Sequence, residues 1–297
     1  MSAGGEQRPA PFVVGVPRSG TTLLRLMLDA HPELTIPPET HFIPAVIRAC
    51  RRGGDADRVA AAITGHRRWA DFGVDAGELR SRLAALDPLE AGPALRVFYG
   101  LYAARQAKPR WGDKTPGYAT KMRRIQRALP EARFIHVIRD GRGVVLSRNR
   151  KSSRPKPVAL AARRWKRRMV ATRKRSQSVR HYTELRFEDL VTETEAVLRR
   201  VCDFVELGFD PAMLAYHDRA AERIEEIARE LPATRGRHEL GGERRVGAHA
   251  RASDPPDPTR ATAWRAEMDP GDVGAFEAEA GDLLDELGYA RDGRLAS

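Results

Sequence analysis

PFVVGVPRSGTT, residues 11–22, sets a short apolar run against a glycine-bounded loop and the first turn of a helix. Phe12–Val16 reads as a strand, Pro17–Gly20 as the loop, and Thr21–Ala30 (TTLLRLMLDA) as the helix. In that order the loop amides and the helix N-terminus converge on one point, where the helix dipole favours an anion. Gly15 and Gly20 have the spacing of the phosphate-loop pattern G-x-x-x-x-G-K-[ST], but Thr21 stands where the pattern has Lys. That Lys reaches the β/γ-phosphates of a nucleoside triphosphate, so its absence argues against an ordinary ATPase or kinase. Arg18 brings a positive charge earlier in the loop. The plain alternative is a tight strand–helix turn with no ligand.

Outward from this point, strands and helices alternate. Leu34–Ile36 is a short strand candidate stopped by Pro37-Pro38, and Ile43–Arg52 resumes helical spacing. Helical pieces such as Ala76–Ala85 and Pro93–Ala104 occupy the part of the chain between residues 53 and 107. Pro109–Gly117 (PRWGDKTPG) reads as a turn-rich segment, followed by a helix over Ala119–Leu129. Ala132–Ile138 (ARFIHVI) has the near-continuous apolar character of a strand buried on both faces. It runs into Arg139-Asp140-Gly141-Arg142-Gly143, and a helix begins at Val144. This alternation implies an α/β fold with a parallel central sheet flanked by helices. Ligands of such sheets sit at the carboxyl ends of the strands, and Arg18 and Arg139 both lie just past such ends. Two cations at one rim suit a ligand with two separated anionic groups.

Val158–Arg180 is a strongly basic helix candidate, with Ala161, Trp165, Met169 and Thr172 on one face. It reads either as a solvated amphipathic helix anchored by Trp165 or as a face for an acidic partner. Tyr182–Glu188 is a further strand candidate, and Leu198–Phe209 a helix with its exit. Residues 229–262, rich in Gly, Pro and charge, form a long functional or disordered loop. The last helix is capped by Asp269, has Pro270 in its first turn and buries Val273, Phe276, Ala280, Leu283, Leu284 and Leu287.

The chain has 297 residues, 41% of them hydrophobic and 31% charged, enough for one well-buried core. Residues 1–10 read as a disordered leader and 11–297 as a single domain. A net charge of +12 points to anionic ligands without separating a nucleotide from nucleic acid or a membrane. Two Cys, Cys50 and Cys202, exclude a disulfide scaffold and a Cys-rich metal site. There is no secretory signal core and no apolar run of membrane-spanning length, so a cytoplasmic protein is the expectation.

VGVPRSGTTLLRLMLDAHPEL resembles the 5′-phosphosulfate-binding segment of sulfotransferases, and FIHVIRDGRGVVLS resembles their 3′-phosphate-binding segment. The branch it looks most like is the bacterial, tyrosylprotein-sulfotransferase-like one. There a D-A-H-P segment ends the first helix and E-T precedes I-P, as Asp29–Pro32 and Glu39-Thr40-His41-Phe42-Ile43-Pro44 do here. The resemblance runs with gaps from Phe12 to Tyr289. It implies a P-loop-like three-layer fold and transfer of a sulfuryl group from 3′-phosphoadenosine 5′-phosphosulfate (PAPS) to an acceptor hydroxyl, with no metal. The missing P-loop Lys then has a reason, since PAPS has no γ-phosphate.

Carried over residue by residue, the resemblance gives Arg18, Ser19, Gly20, Thr21 and Thr22 the 5′-phosphosulfate, and Arg139 and Ser147 the 3′-phosphate. Lys151 or Arg150 adds charge there. Glu39 is implied as the general base and Lys114 as the cation on the leaving oxygen. His31 and His41 are rival bases; a structural reading suits His31 at a helix exit. Phe187-Glu188-Asp189-Leu190 stands where the family has Y-E-D-L near the adenine. Arg251 is a guess for a phosphate contact from the late loop, and Trp264 reads as core packing. Two other readings stand beside this one: a nucleotide kinase with a divergent loop, and a basic nucleic-acid-binding protein using the 163–180 helix. Neither uses both the Arg18 loop and the Arg139–Ser147 segment. The acceptor, whether small molecule, glycan or peptide tyrosine, is not legible, and a homodimer stays open.

Overall fold

The computed structural model describes residues 7–152, 154–228, 241–247 and 252–291. Its centre is a four-stranded sheet of order β4-β1-β5-β6, formed by β1 (Ala10–Gly15), β4 (Asp113–Lys114), β5 (Ala132–Ile138) and β6 (Tyr182–Arg186). Every pairing is parallel. Gly15 aligns with Val137, Val13 with Lys114 and Ile138 with Arg186, so the strands end at a common rim. A second parallel pair joins β2 (Leu34–Thr35) to β3 (Arg110–Trp111).

Alternate side chains of β1 and β5 face opposite layers. Phe12, Val14 and Phe134 pack against α2 (Ile43–Arg51), α3 (Ala56–Thr64), α4 (Ala76–Ala84), α5 (Ala91–Arg105) and α6 (Met122–Ala128). Val13, Ile135 and Val137 face the other layer. It is built from α1 (Thr21–Asp29) and, further along, from α9 (Phe187–Thr192), α10 (Thr194–Phe204) and α11 (His217–Glu225). Burial of each of these apolar side chains stabilises the fold by roughly 1.5–3 kcal/mol. Val16 and Ile138, at the rim, belong to a third cluster with α7 (Gly141–Arg150), α8 (Val158–Ser176), α13 (Trp264–Glu267) and α14 (Pro270–Glu286). Between α11 and α13 lies α12 (Gly242–Gly247).

The α/β class, the parallel sheet and the flanking helices are therefore as the sequence predicts. Several boundaries differ. β1 opens at Ala10, two residues before the expected start, and the Arg110 guanidinium donates to the Pro9 carbonyl, so order begins inside the expected leader. Val144 is not the first residue of its helix; α7 starts at Gly141, where the Asp140 carboxylate accepts from Arg142 N. Phe187 belongs to α9 and not to β6. The turn-rich segment 109–117 contains two strands, and one of them, β4, is the edge of the main sheet. Gly112 separates them because a Cβ there would lie 2.8 Å from the Pro11 carbonyl oxygen. Part of the expected loop 229–262 is ordered as α12 and as a 3-10 turn over Pro258–Ala261.

Candidate active site

Three loops meet at the rim: the one between β1 and α1, the one between β2 and α2, and the one leaving β5. With α9 and residues 252–260 they enclose a cavity of about 740 Å³. Arg18, Thr21, Thr22, Glu39, Arg139 and Ser147 line it.

The α1 N-terminus is built to face an anion. Gly20 occupies the cap position at φ 92° and offers no side-chain cap to the first-turn amides. A Cβ at Gly20 would lie 2.4 Å from the Phe187 ring, so both backbone and space require glycine. Ser19 is fully buried, and its Oγ has no hydrogen-bond partner among the described residues. A buried hydroxyl without a partner costs about 1–3 kcal/mol. An acceptor oxygen brought into the cradle would remove that cost.

Arg139 sits on the β5 side of the rim, 7% exposed, with its guanidinium 4.0 Å from the centre of the Phe187 ring. Its polar partners are carbonyls: Nη1 donates to Arg18 O at 3.1 Å and Nη2 to Arg260 O at 3.2 Å. Burial, joined by the Arg260 and Arg18 charges and opposed by Glu188 and Asp140, brings its pKa down to about 10. A buried guanidinium in this state gains most from an anion. Arg18, itself at φ 79°, donates from Nε to Ser147 Oγ at 3.2 Å and so links the two halves of the rim.

On the other side Lys114 and Glu39 form an ion pair, Nζ to Oε1 at 2.9 Å, and Lys114 Nζ also lies 3.4 Å from Thr22 Oγ1. The second Glu39 oxygen is 2.8 Å from His41 Nε2, and Arg68 stands 3.8 Å away. Burial alone would push the Glu39 carboxyl up; the Lys114 ammonium, the His41 hydrogen bond and Arg68 outweigh it and hold the pKa well below the ordinary value. Lys114, 3% exposed, is lowered by burial and by the charges of Arg25 and Arg68, with Glu39 opposing.

The residues beside this pair interlock. Thr40 Oγ1 donates to Asp113 Oδ2 at 2.7 Å and lies 2.9 Å from the Tyr118 hydroxyl, while Thr40 N donates to Thr115 Oγ1 at 3.1 Å. Tyr99 adds a bond to Asp113 at 2.8 Å. This buried network fastens the β2–α2 loop to β4 and thereby holds Glu39 opposite Lys114.

The family model described as Sulfotransferase family matches residues 9–211. The chain belongs to the sulfotransferase family. It is 28% identical over 222 residues to protein-tyrosine sulfotransferase A of Caenorhabditis elegans, covering 71% of this chain and 53% of that protein. It thus spans about half the length of that relative. It is 26% identical to a putative protein-tyrosine sulfotransferase of Caenorhabditis briggsae, over 77% of this chain and 76% of the relative. Among solved structures, the sulfotransferase domain of the Synechococcus PCC 7002 olefin synthase superimposes with a TM-score of 0.56 at 25% identity, covering 96% of this chain and 97% of that one. The domain from the curacin biosynthetic pathway also scores 0.56, at 19% identity.

The structure brings most of the predicted site residues of this family member to one cavity. Lys114 and Ser19 stand directly behind its lining. Others go elsewhere. His31 is buried away from the rim, its Nε2 2.8 Å from Gly208 O and its Nδ1 accepting from Glu33 N, which gives it a structural role. Arg150 pairs with Glu267, and Lys151 donates to Gly247 O. Glu188 accepts from Asp140 N and the Tyr289 hydroxyl, an anchoring role behind the rim. Trp264 is 2% exposed and stacks on the Arg142 guanidinium at 3.6 Å. Arg251 lies outside the described residues. The 254–257 wall belongs to the late loop expected to be functional, whereas Arg260 of the same loop was not singled out, since it lies beyond the matched segment and in no motif.

Proposed function

We propose that this sulfotransferase takes PAPS as donor and transfers its sulfuryl group to an acceptor hydroxyl, with Glu39 as general base and Lys114 at the leaving oxygen. The observation that carries the reading is the Glu39–Lys114 pair standing against Thr22 of the α1 cradle, in the same cavity as Arg139. PAPS fits the donor set. The cradle offers amides, the hydroxyls of Thr21 and Thr22 and the unsatisfied Ser19 Oγ; Arg139 and Ser147 stand together at a second position for an anion. When bound, the donor supplies a sulfuryl group whose bridging oxygen gains charge as the bond breaks.

The residues then divide the work. Glu39 is ionised at neutral pH and accepts the proton of the acceptor hydroxyl. Its basicity is low while Lys114 and His41 hold it. Lys114 reaches both Glu39 and Thr22, so it can turn its charge from the carboxylate to the cradle. As it does so, Glu39 becomes a stronger base and the developing charge is neutralised in the same motion. Phe187 packs against the Arg139 guanidinium and shields it from water.

The acceptor presents a hydroxyl to Glu39 within the cavity, whose lining on that side includes the exposed His41 and Gly117. Incubation with radiolabelled PAPS and a panel of phenols, sugars and tyrosine peptides should give labelled product that disappears in Glu39→Gln. Label transfer that persists in Glu39→Gln at the wild-type rate would overturn the base assignment.

A further inference from the structure

The helix α8 carries two basic flanks, and among the described residues only one of them is matched by carboxylates. On the matched flank α14 lays an acidic ladder along it: Glu279 pairs with Arg163, Asp282 with Lys166 at 2.6 Å, and Glu286 with Arg173. Glu184 of β6 adds a second contact to Arg173 at 3.1 Å. The helix thus already meets an acidic helix through ion pairs one and two turns apart along its length.

The opposite flank presents the same chemistry, and among the described residues no carboxylate pairs with it. Leu160, Arg164, Arg167, Arg168 and Arg175 follow at helical spacing along the solvent side, and Arg148 of α7 stands beside them. Arg167, Arg168 and Arg175 are exposed, and Arg148 and Arg164 half-buried. None of these arginines forms an ion pair among the described residues. Partial burial and the neighbouring charges of Arg148, Arg164 and Arg167 lower the pKa of Arg168, a sign that the guanidiniums crowd one another. The exposed large hydrophobic residues of the described chain, Leu160 at 40% and Val170 at 48%, both lie on this helix.

We propose that this α7–α8 surface docks an acidic helical segment of a partner protein, carrying carboxylates at i, i+3 and i+7 and an apolar residue that covers Leu160. Three observations favour a protein over a nucleic acid. The cations run along one face of a single helix, beside the flank that α14 already matches with carboxylates. The exposed apolar side chain of Leu160 stands beside the charges, where a phosphate backbone would find no use for it. The surplus is local: five guanidiniums meet no acid there among the described residues, while α14 neutralises the adjacent flank. The docking surface lies on the outer face of α7 and α8 and goes beyond the transfer reaction.

The test is fluorescence anisotropy with the full chain and a labelled helical peptide bearing Glu at i, i+3 and i+7 and one terminal Leu. Arg164→Glu/Arg167→Glu/Arg168→Glu is compared with Arg48→Glu/Arg51→Glu/Arg52→Glu, an equal charge change at the exposed end of α2, which packs in a separate core cluster. The α8 triple variant should bind at least about tenfold more weakly, and the α2 one within about twofold of wild type. The milder Gln triple variant at the α8 positions should lose binding in the same direction, which separates charge loss from misfolding. Equal loss in both Glu variants would make the binding a property of net charge and overturn the proposal. Unchanged binding in the α8 variants would overturn it too. A duplex DNA of equal charge that binds more tightly than the peptide, and is released by the α8 substitutions, would assign the surface to nucleic acid instead.

Discussion

Lys114 and Glu39 meet at 2.9 Å from opposite sides of the rim, one on the edge strand β4 and the other on the loop after β2. The pair is nearly enclosed: Lys114 shows 4% of its side chain and Glu39 19%. An ammonium in that position needs an anion beside it, and the same anion is the base of the proposed reaction.

Removing the ammonium should separate these two functions. In Lys114→Ala the burial that raises the Glu39 pKa remains, and the largest opposing charge is gone. The Glu39 pKa therefore rises, and the acid limb of the kcat–pH profile moves to higher pH. The rate itself should drop by about 10²–10³, the usual cost of one group lost at a developing charge. A profile that keeps its wild-type acid limb would contradict the assignment.

The same ion pair contributes to folding with a defined sign. Glu39 has a folded pKa below its unfolded value, so its stabilisation is present above the unfolded pKa and is lost as pH falls through the folded one. Glu39→Ala leaves Lys114 buried without its partner and should cost about 2–4 kcal/mol at neutral pH, discounted for the exposed part of Glu39. Denaturant titration at neutral and acid pH reads this directly: the gap between wild type and variant narrows below the ordinary carboxylate range.

Arg139 is not replaceable by another cation. Its planar group lies on Phe187 and donates from two nitrogens to Arg18 O and Arg260 O. Arg139→Lys keeps the charge and loses the stacking and the fork. Affinity for 3′-phosphoadenosine 5′-phosphate should fall about tenfold or more in Arg139→Lys, and further in Arg139→Ala. Affinity for 5′-AMP should hardly change in either. Calorimetry on both ligands checks the difference.

Gly20→Ala tests the cradle's shape. The new methyl meets the Phe187 ring at 2.4 Å in a backbone conformation that L-residues disfavour. Left-handed strain and overpacking together should lower the unfolding free energy by about 2–4 kcal/mol. Phe187→Ala in the same chain should recover the overpacking share and leave the strain. A thermal-melt series of the three variants measures both parts.

The sheet was legible where a physical signal was strong. Ala132–Ile138 lies buried on both faces, so its apolar run reads as a strand with the observed bounds. Thr21, Arg18 and Gly20 were readable from the strand–loop–helix order. β4 was not: it has two residues, Asp113 and Lys114, both charged and both buried by partners distant in sequence. Propensity reads such a pair as a turn, because only tertiary contacts with Tyr99, Thr40 and Glu39 make it a strand. Arg260 was hidden for a related reason. It reaches the cavity from a 3-10 turn in a Pro- and Gly-rich stretch, where spacing carries no direction. The histidines show the opposite limit. His31 and His41 look alike in sequence, and only the fold puts one against Gly208 and the other against Glu39.

The most direct test of the donor site is calorimetric titration of the protein with 3′-phosphoadenosine 5′-phosphate, beside ATP–Mg²⁺ and 5′-AMP. The donor site should bind this nucleotide with an affinity on the order of micromolar that requires the 3′-phosphate and no metal. Failure to bind, or a preference for ATP–Mg²⁺, would contradict that assignment.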